Sequence, residues 1–185
     1  MEAHVAVHDA TLVLGVLGGD RAAFAELYDR RARLIRAICF DSTGDLHTAA
    51  DLTQEVFLRA YRSLGELRDP HRFAAWLVGI ARQVCREWRR GRLRERRGLE
   101  RLAARSEPLR PDDRPDPPEE PILLLRRAVA SLPERERLAL HAFYLQEQDV
   151  EQARTVLGLS RSGFYRVLSS ARMRLKRVMS KEVHR

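Results

Sequence analysis

The stretch from Asp69 to Arg97, DPHRFAAWLVGIARQVCREWRRGRLRERR, decides the fold. Asp69 and Pro70 form a helix start: a carboxylate able to cap free backbone N–H groups, then a proline in the first turn, where its missing N–H costs nothing. Behind them Phe73, Leu77, Ile80, Ala81, Val84 and Trp88 recur at helical spacing and predict one buried stripe. At about 100° per residue Trp76 falls on the flank of that stripe, in a row with Arg72, Gly79, Gln83, Arg86 and Arg90. Guanidinium groups meet phosphates and a flat ring meets bases, so such a row suits a nucleic-acid strand. An amphipathic helix with solvated arginines and a partly buried tryptophan accounts for the row about equally well. The remainder of the chain tips the balance.

The 185 residues admit one medium domain or two small ones. Hydrophobic residues make up 44% of them, ample for packed cores, whereas aromatics at 6% are few and no strand-like alternation of Val, Ile, Thr and Tyr occurs. The expected fold class is all-α. A formal net charge of +8 points to a polyanionic partner. A membrane surface fits less well, because the basic residues interleave with buried-type residues, and no apolar run approaches the roughly 20 residues that span a bilayer. The opening MEAHVAVHDATLVLGVLGGD has no basic start and no small-residue cleavage site, so no secretion signal is expected. Cys39 and Cys85 lie far apart and in no CxxC pair; buried reduced thiols are expected, without zinc or a disulfide. Six scattered histidines, no Gly-rich phosphate loop and no nucleophile in a recognisable elbow leave no expectation of catalysis, metal or cofactor.

Thr11 to Leu17 predicts a short helix ending at Gly18-Gly19, and Asp20 opens a longer one carrying Phe24, Leu27, Tyr28, Leu34, Ile35 and Ile38. DSTGDLHTA reads as a turn. The next helix, ADLTQEVFLRAYRSL, buries Leu52, Val56, Phe57, Ala60, Tyr61 and Leu64 on one face and carries Asp51, Gln54, Glu55, Leu58 and Arg62 on the other. A lone exposed leucine usually means nothing, yet Leu58 beside Gln54 and Glu55 is also placed as the centre of a protein docking face.

Past Arg97 the helical signal weakens, and SEPLRPDDRPDPPEEP, Ser106 to Pro121, reads as a linker, because prolines at this density sustain no helix. Beyond it lie short helices: Ile122 to Ser131, then one opened by a capping box of Ser131, Pro133 and Glu134, then Asp149 to Leu157. Gly158-Leu159-Ser160 and a helix from Ser160 to about Lys181 complete a helix-turn-helix pattern. Such units place the start of the second helix in the major groove, which makes Arg161, Ser162, Tyr165 and Arg166 the side chains best placed for bases and phosphates, with Arg172 farther along the same basic helix. A helical hairpin with a solvated basic face fits the spacing as well.

Taken together, from about Asp20 to Lys181, these motifs resemble bacterial sigma factors of the extracytoplasmic-function branch, which keep regions two and four joined by a linker. The resemblance implies region two at 1–104, a Pro-rich linker at 105–121 and region four at 122–185. It implies a cytoplasmic promoter-specificity subunit of RNA polymerase, without catalysis or cofactor, whose partners are the core enzyme (largest-subunit clamp helices and flap), promoter DNA, and an anti-sigma factor or kinase regulator. Carried over residue by residue, Asp51, Gln54, Glu55 and Leu58 face the clamp helices. Arg72, Trp76, Gln83, Arg86 and Arg90 serve the −10 element, and Arg161, Ser162, Tyr165, Arg166 and Arg172 the −35 element. The connection Gly65 to Arg72 corresponds to the loop that captures an extruded −10 base, although it contains no aromatic residue. A stand-alone helix-turn-helix regulator binding duplex operator DNA is the alternative.

Three departures from the family pattern stand out. The usual acidic Asp-Ala-Glu-Asp run before the docking helix is Thr48-Ala49-Ala50-Asp51, two carboxylates short, and Thr48 and Thr53 are candidate phosphorylation sites that would restore charge there. Arg154 stands where a small alanine usually packs between the two helices. Val167 stands where an arginine usually meets phosphate, with Arg166 one position earlier.

Overall fold

The structure, a computed structural model, describes residues 8–103, 121–145 and 149–183. Its elements are α1 (Asp9–Leu17), α2 (Arg21–Thr43), α3 (Leu46–Ser63), two 3-10 turns (Leu64–Glu66 and Pro70–Arg72), α4 (Phe73–Ala103), α5 (Pro121–Ala130), α6 (Glu134–Leu145), α7 (Val150–Leu157) and α8 (Arg161–Val183). No strand occurs among the described residues, and none of their helices is long and apolar enough to cross a membrane.

The Asp20 carboxylate caps α2, accepting from the backbone N–H groups of Ala22 (2.9 Å) and Ala23 (3.3 Å). Helix α1 is tied to α2 by the buried Arg31, whose guanidinium meets Asp9 at 2.7 Å. The nine-residue turn predicted after α2 shrinks to Gly44 and Asp45. Asp41, Ser42 and Thr43 remain helical; Gly44, at φ +68°, stops the helix, and Asp45 caps α3 by accepting from Thr48 N–H at 2.7 Å. Turn-forming residues here serve as the end of one helix and the cap of the next.

Helices α2, α3 and α4 enclose a core of Leu27, Leu34, Ile35, Cys39, Val56, Phe57, Ala60, Phe73, Leu77, Ala81 and Val84. The buried face of α4 is wider than the predicted stripe: Ala74, Val78 and Cys85 are sealed as well, whereas Ile80 and Trp88 are half-buried. The cause is packing from several sides, since α4 touches α1, α2 and α3 and also α7. On α3, Tyr61 was expected in the core but is 47% exposed, and Thr53 takes an interior place. Its hydroxyl donates to Ala49 O at 2.7 Å, which removes the cost of burying it.

The predicted linker at 105–121 falls outside the described residues, apart from Pro121, which opens α5. The expected capping box at Ser131 does not form. Its hydroxyl donates backward to Ala128 O at 2.7 Å, and the α5–α6 turn is held by Arg137, which donates to Ala130 O and Leu132 O. Helices α6, α7 and α8 pack through Leu138, Ala139, Ala142, Phe143, Ala153, Val156, Phe164 and Leu168. This second group rests on the first: α6 lies on α2 and α7 on α4. Asp41 binds Arg137 and His141, Arg82 binds Glu134 at 2.7 Å, and the Arg126 guanidinium lies 5.4 Å above the Phe40 ring.

Candidate functional site

Three surfaces carry the residues singled out by the sequence. On α3, Asp51, Gln54 and Leu58 are exposed, and Leu58 keeps 51% of its surface in solvent. Leu58 is not isolated. It borders an open, mostly apolar hollow of about 490 Å³ lined by Arg21, Phe24, Tyr28, Gln54, Phe57 and Tyr61. Edge-on packing of Phe24 against Tyr61 (4.9 Å between centroids) and the contact of Tyr28 with Phe57 (4.6 Å) fix its walls. Tyr61, expected in the core, forms one wall, and the apolar positions Phe24 and Tyr28 of α2 form others. The available signal was an excess of large apolar residues on α2 and α3 over what one shared face can bury.

Glu55, the fourth residue of that group, is half-buried and bound to Arg59 at 2.7 Å. Arg59 continues to Glu87 on α4 at 2.7 Å, and the Gln83 amide donates to Glu87 at 3.0 Å. This chain of charge and hydrogen bonding joins α3 to α4. The Gln83 hydrogen bond, seconded by Arg59, holds the Glu87 carboxyl below its usual range, while Glu55 and Glu87 raise the Arg59 guanidinium above its own.

Arg72, in the turn before α4, and Gln83, Arg86 and Arg90 on α4 are exposed, and Trp76 is half-buried, its ring 6.0 Å from Phe73. Asp69 caps the entry turn by accepting from His71 N–H at 3.0 Å. An open hollow of about 380 Å³ lies where the connection meets the helix, lined by Glu66, Leu67, Arg68, Asp69, Arg72, Ala75 and Trp76. The aromatic wall absent from the connection is therefore supplied by α4.

The third surface is the start of α8. Asp149 caps α7, accepting from Glu151 and Gln152 N–H groups, and Gly158 ends it at φ +63°, a conformation that favours glycine. Ser160 accepts from Gly163 N–H at 3.2 Å, and a Cβ on Gly163 would stand 3.1 Å from that hydroxyl oxygen. Arg161, Ser162, Tyr165 and Arg166 emerge together and exposed. Arg172 does not join them: it lies eleven residues, about 16 Å, along the helix. Its guanidinium stacks on Phe143 (5.2 Å) and Tyr144 (5.6 Å).

The small residue sealed in α7 is Ala153, fully buried, while Arg154 turns aside to Glu151 at 2.6 Å. No bulky side chain has to be fitted between these helices. Of the two threonines, Thr53 is 1% exposed and committed to Ala49, so it is closed to a modifying enzyme in this fold. Thr48 is half-buried in the first turn of α3, beside the Asp45 carboxylate.

Residues 27–95, which contain α3, the connection and the basic row of α4, match the family described as sigma-70 region 2. This stretch is therefore a sigma-70 region 2, and over most of its length the chain is similar to sigma factors, those of the extracytoplasmic-function branch among them. It is similar to the probable RNA polymerase sigma factor RfaY of Xanthomonas campestris pv. campestris, 30% identical over 159 residues, covering 83% of this chain but 40% of RfaY. It is also similar to ECF RNA polymerase sigma factor SigM of Mycobacterium tuberculosis, 26% identical over 171 residues, covering 92% of this chain and 84% of SigM. Among solved structures, CnrH in complex with the cytosolic domain of CnrY shares the fold, with a TM-score of 0.59 at 22% identity over 94% of this chain and 97% of that one.

Proposed function

We propose that this chain is a dissociable promoter-specificity subunit of bacterial RNA polymerase, binding core enzyme through α3 and promoter DNA through α4 and α8. The observation that carries the reading is the hollow beneath Trp76. A short polar connection and an aromatic wall, flanked by Arg68 and Arg72, suit one unstacked base and its phosphates. Preference for the unpaired −10 strand over the duplex would draw the equilibrium toward melted DNA without a chemical step. The apolar hollow around Leu58 offers a seat for a helical partner such as the polymerase clamp helices. Arg161, Ser162, Tyr165 and Arg166 supply the −35 contacts.

The packed arrangement is not the promoter-engaged one. α7 borders a cavity shared with His71 and Ala74, and its eight residues span about 12 Å before α8 begins. The −10 and −35 labels stand 25 base pairs apart, about 85 Å at 3.4 Å per pair. Engagement of both elements therefore requires α5–α8 to leave α2 and α4. Once both modules are seated on polymerase, tethering raises their joint affinity. By analogy with CnrH, which is complexed with CnrY, a protein partner such as an anti-sigma factor covering the docking surfaces belongs to the reading. So does a kinase acting at Thr48, against which equal activity of unmodified and Thr48→Glu chains would count.

Run-off transcription with purified core enzyme on a promoter library tests the reading. Template-specific transcripts that require this chain support it. Tight binding to duplex DNA without polymerase, and no transcript with it, would instead make the chain an independent helix-turn-helix regulator.

A further inference from the structure

Two cysteines distant in sequence meet in the core. Cys39 on α2 and Cys85 on α4 place their sulfurs 3.9 Å apart, both thiols free and sealed from bulk solvent. A disulfide needs about 2.05 Å, so the sulfurs must approach by roughly 1.9 Å. Cys85 also lines a cavity of about 130 Å³ between α2, α4 and α6, together with Asp41, Ser42, Arg82, Arg86, Arg89, Glu134, Arg137 and His141. Proximity, a charged cavity at one sulfur and a second thiol behind it set this pair apart from an inert buried cysteine.

We propose that Cys39 and Cys85 form a peroxide-reactive dithiol: Cys85, reached through the cavity, is oxidised first, and Cys39 resolves it to an intrachain disulfide joining α2 to α4. In the first step the Cys85 thiolate attacks one peroxide oxygen. The S–O bond forms, the O–O bond breaks, and the departing hydroxide takes up a proton to leave as water. Cys39 then attacks the sulfenic sulfur. The S–S bond forms, the S–O bond breaks, and a second water leaves with the Cys39 proton. Two thiols and one hydrogen peroxide thus give one disulfide and two waters, with two electrons passing from sulfur to oxygen.

The two sulfurs are unequal. Hydrogen bonding with Cys39, then with Ser42, and the Arg89 charge hold Cys85 down to about 6, against burial and the Asp41 charge. Cys39 is pushed up, chiefly by its hydrogen bond with Cys85 and by burial, and so keeps the proton. Arg82, Arg86, Arg137, Glu134 and His141 face the same cavity.

The test treats the full chain with hydrogen peroxide and reads it by intact mass and thiol titration. Expected are loss of both thiols, a monomer lighter by two hydrogens, recovery with dithiothreitol, and a rate that falls on acidification with a midpoint near pH 6, against about 8.5 for an ordinary thiol. A Cys39→Ser chain should stop at a sulfenic acid on Cys85 that dimedone tags, and Cys85→Ser should carry at least tenfold less tag on Cys39. The proposal is overturned if the folded wild-type chain keeps both thiols in peroxide that oxidises the guanidinium-unfolded chain. A covalent dimer as the main product, or preferential tagging of Cys39, overturns it equally.

Discussion

Asp41 on α2 and Arg137 on α6 meet at 2.6 Å, Oδ2 to Nε, and His141 Nε2 closes on the same oxygen at 2.9 Å. All three side chains are less than one-fifth exposed, so water screens the contact little. Arg137 simultaneously holds the α5–α6 turn by donating to Ala130 O and Leu132 O. The contact thus ties the turn before α6 to the end of α2, and it is better shielded than the Arg82–Glu134 pair, whose side chains are 39% and 65% exposed.

Asp41→Asn keeps the shape of the side chain and removes its charge while Arg137 keeps its two carbonyl partners. A charge-assisted bond of this kind contributes about 1.5–3 kcal/mol, so the open population should rise roughly 10- to 150-fold. Small-angle scattering should give a larger radius of gyration, and donor and acceptor dyes on α3 and α8 should separate. Unchanged scattering and transfer efficiency would show that this contact does not hold the halves together.

Glu87 links α3 to the basic row of α4 through Arg59, and its carboxyl is depressed below the ordinary glutamate value of 4.5, first by Gln83 and then by Arg59. A depressed folded value adds stability that is complete above the unfolded value and is lost as pH falls through the folded one. Because Glu87 is 42% exposed, the effect is small. Thermal melts from pH 5.5 to 3 should fall more steeply for the wild type than for Glu87→Gln. Parallel slopes would mean that the bridge contributes nothing in solution.

Leu58→Asp places a charge in the hollow formed with Phe24, Tyr28 and Tyr61. Removing a leucine from a buried interface costs about 1.5–3 kcal/mol, roughly 10- to 150-fold in affinity for core polymerase. Half of the side chain is already in water in the free protein, so its own stability should change by no more than about 0.5 kcal/mol. Titration of labelled chain with core enzyme, beside a thermal melt, separates the two. Equal affinities would remove Leu58 from the docking face.

The start of α8 and Arg172 should respond differently. Arg161→Ala or Arg166→Ala should weaken −35 binding by about 1–3 kcal/mol if the side chain reads a base. Arg172→Ala should leave −35 selectivity unchanged and lower stability by about 0.5–1 kcal/mol through its lost stacking on Phe143 and Tyr144. Selectivity on promoters altered at −35, paired with melts, decides the matter. A selectivity loss for Arg172→Ala would restore it to the reading surface.

Several caps are legible because they are local: Asp20, Asp69, Asp149, Gly158 and Ser160 act within a few residues of themselves, whereas the box expected at Ser131 gives way to a bond back to Ala128 O. Exposure of Leu58 follows from helical periodicity, and that of Arg161 from its place at the start of the second helix of the helix-turn-helix. What escaped was tertiary. Tyr61, expected inside, stands exposed, and Thr53 is sealed because a hydroxyl that bonds to its own helix is admitted to a core, a fact that periodicity does not encode. The meeting of Cys39 with Cys85 depends on how α2 crosses α4, and that of Asp41 with Arg137 on where α6 comes to rest. The role of Arg172 was hidden because its partners, Phe143 and Tyr144, lie on another helix.

Trp76 provides the most direct test of strand opening. Its ring forms a wall of the hollow beside Arg72 and rests on Phe73, so truncation removes both a stacking surface and some packing. Stacking of one base on an aromatic side chain is worth about 1–3 kcal/mol, so Trp76→Ala should reduce open-complex formation by roughly 5- to 150-fold on duplex promoter. Trp76→Phe, which keeps a flat face, should recover part of that loss. On a template already unpaired at −10, the cost of separating the strands no longer rests on the ring. The Trp76→Ala defect should shrink there, while a defect caused by damaged folding would persist at full size. Permanganate reactivity of unpaired thymines measures both templates with one readout, and equal defects on the two would remove Trp76 from the melting step.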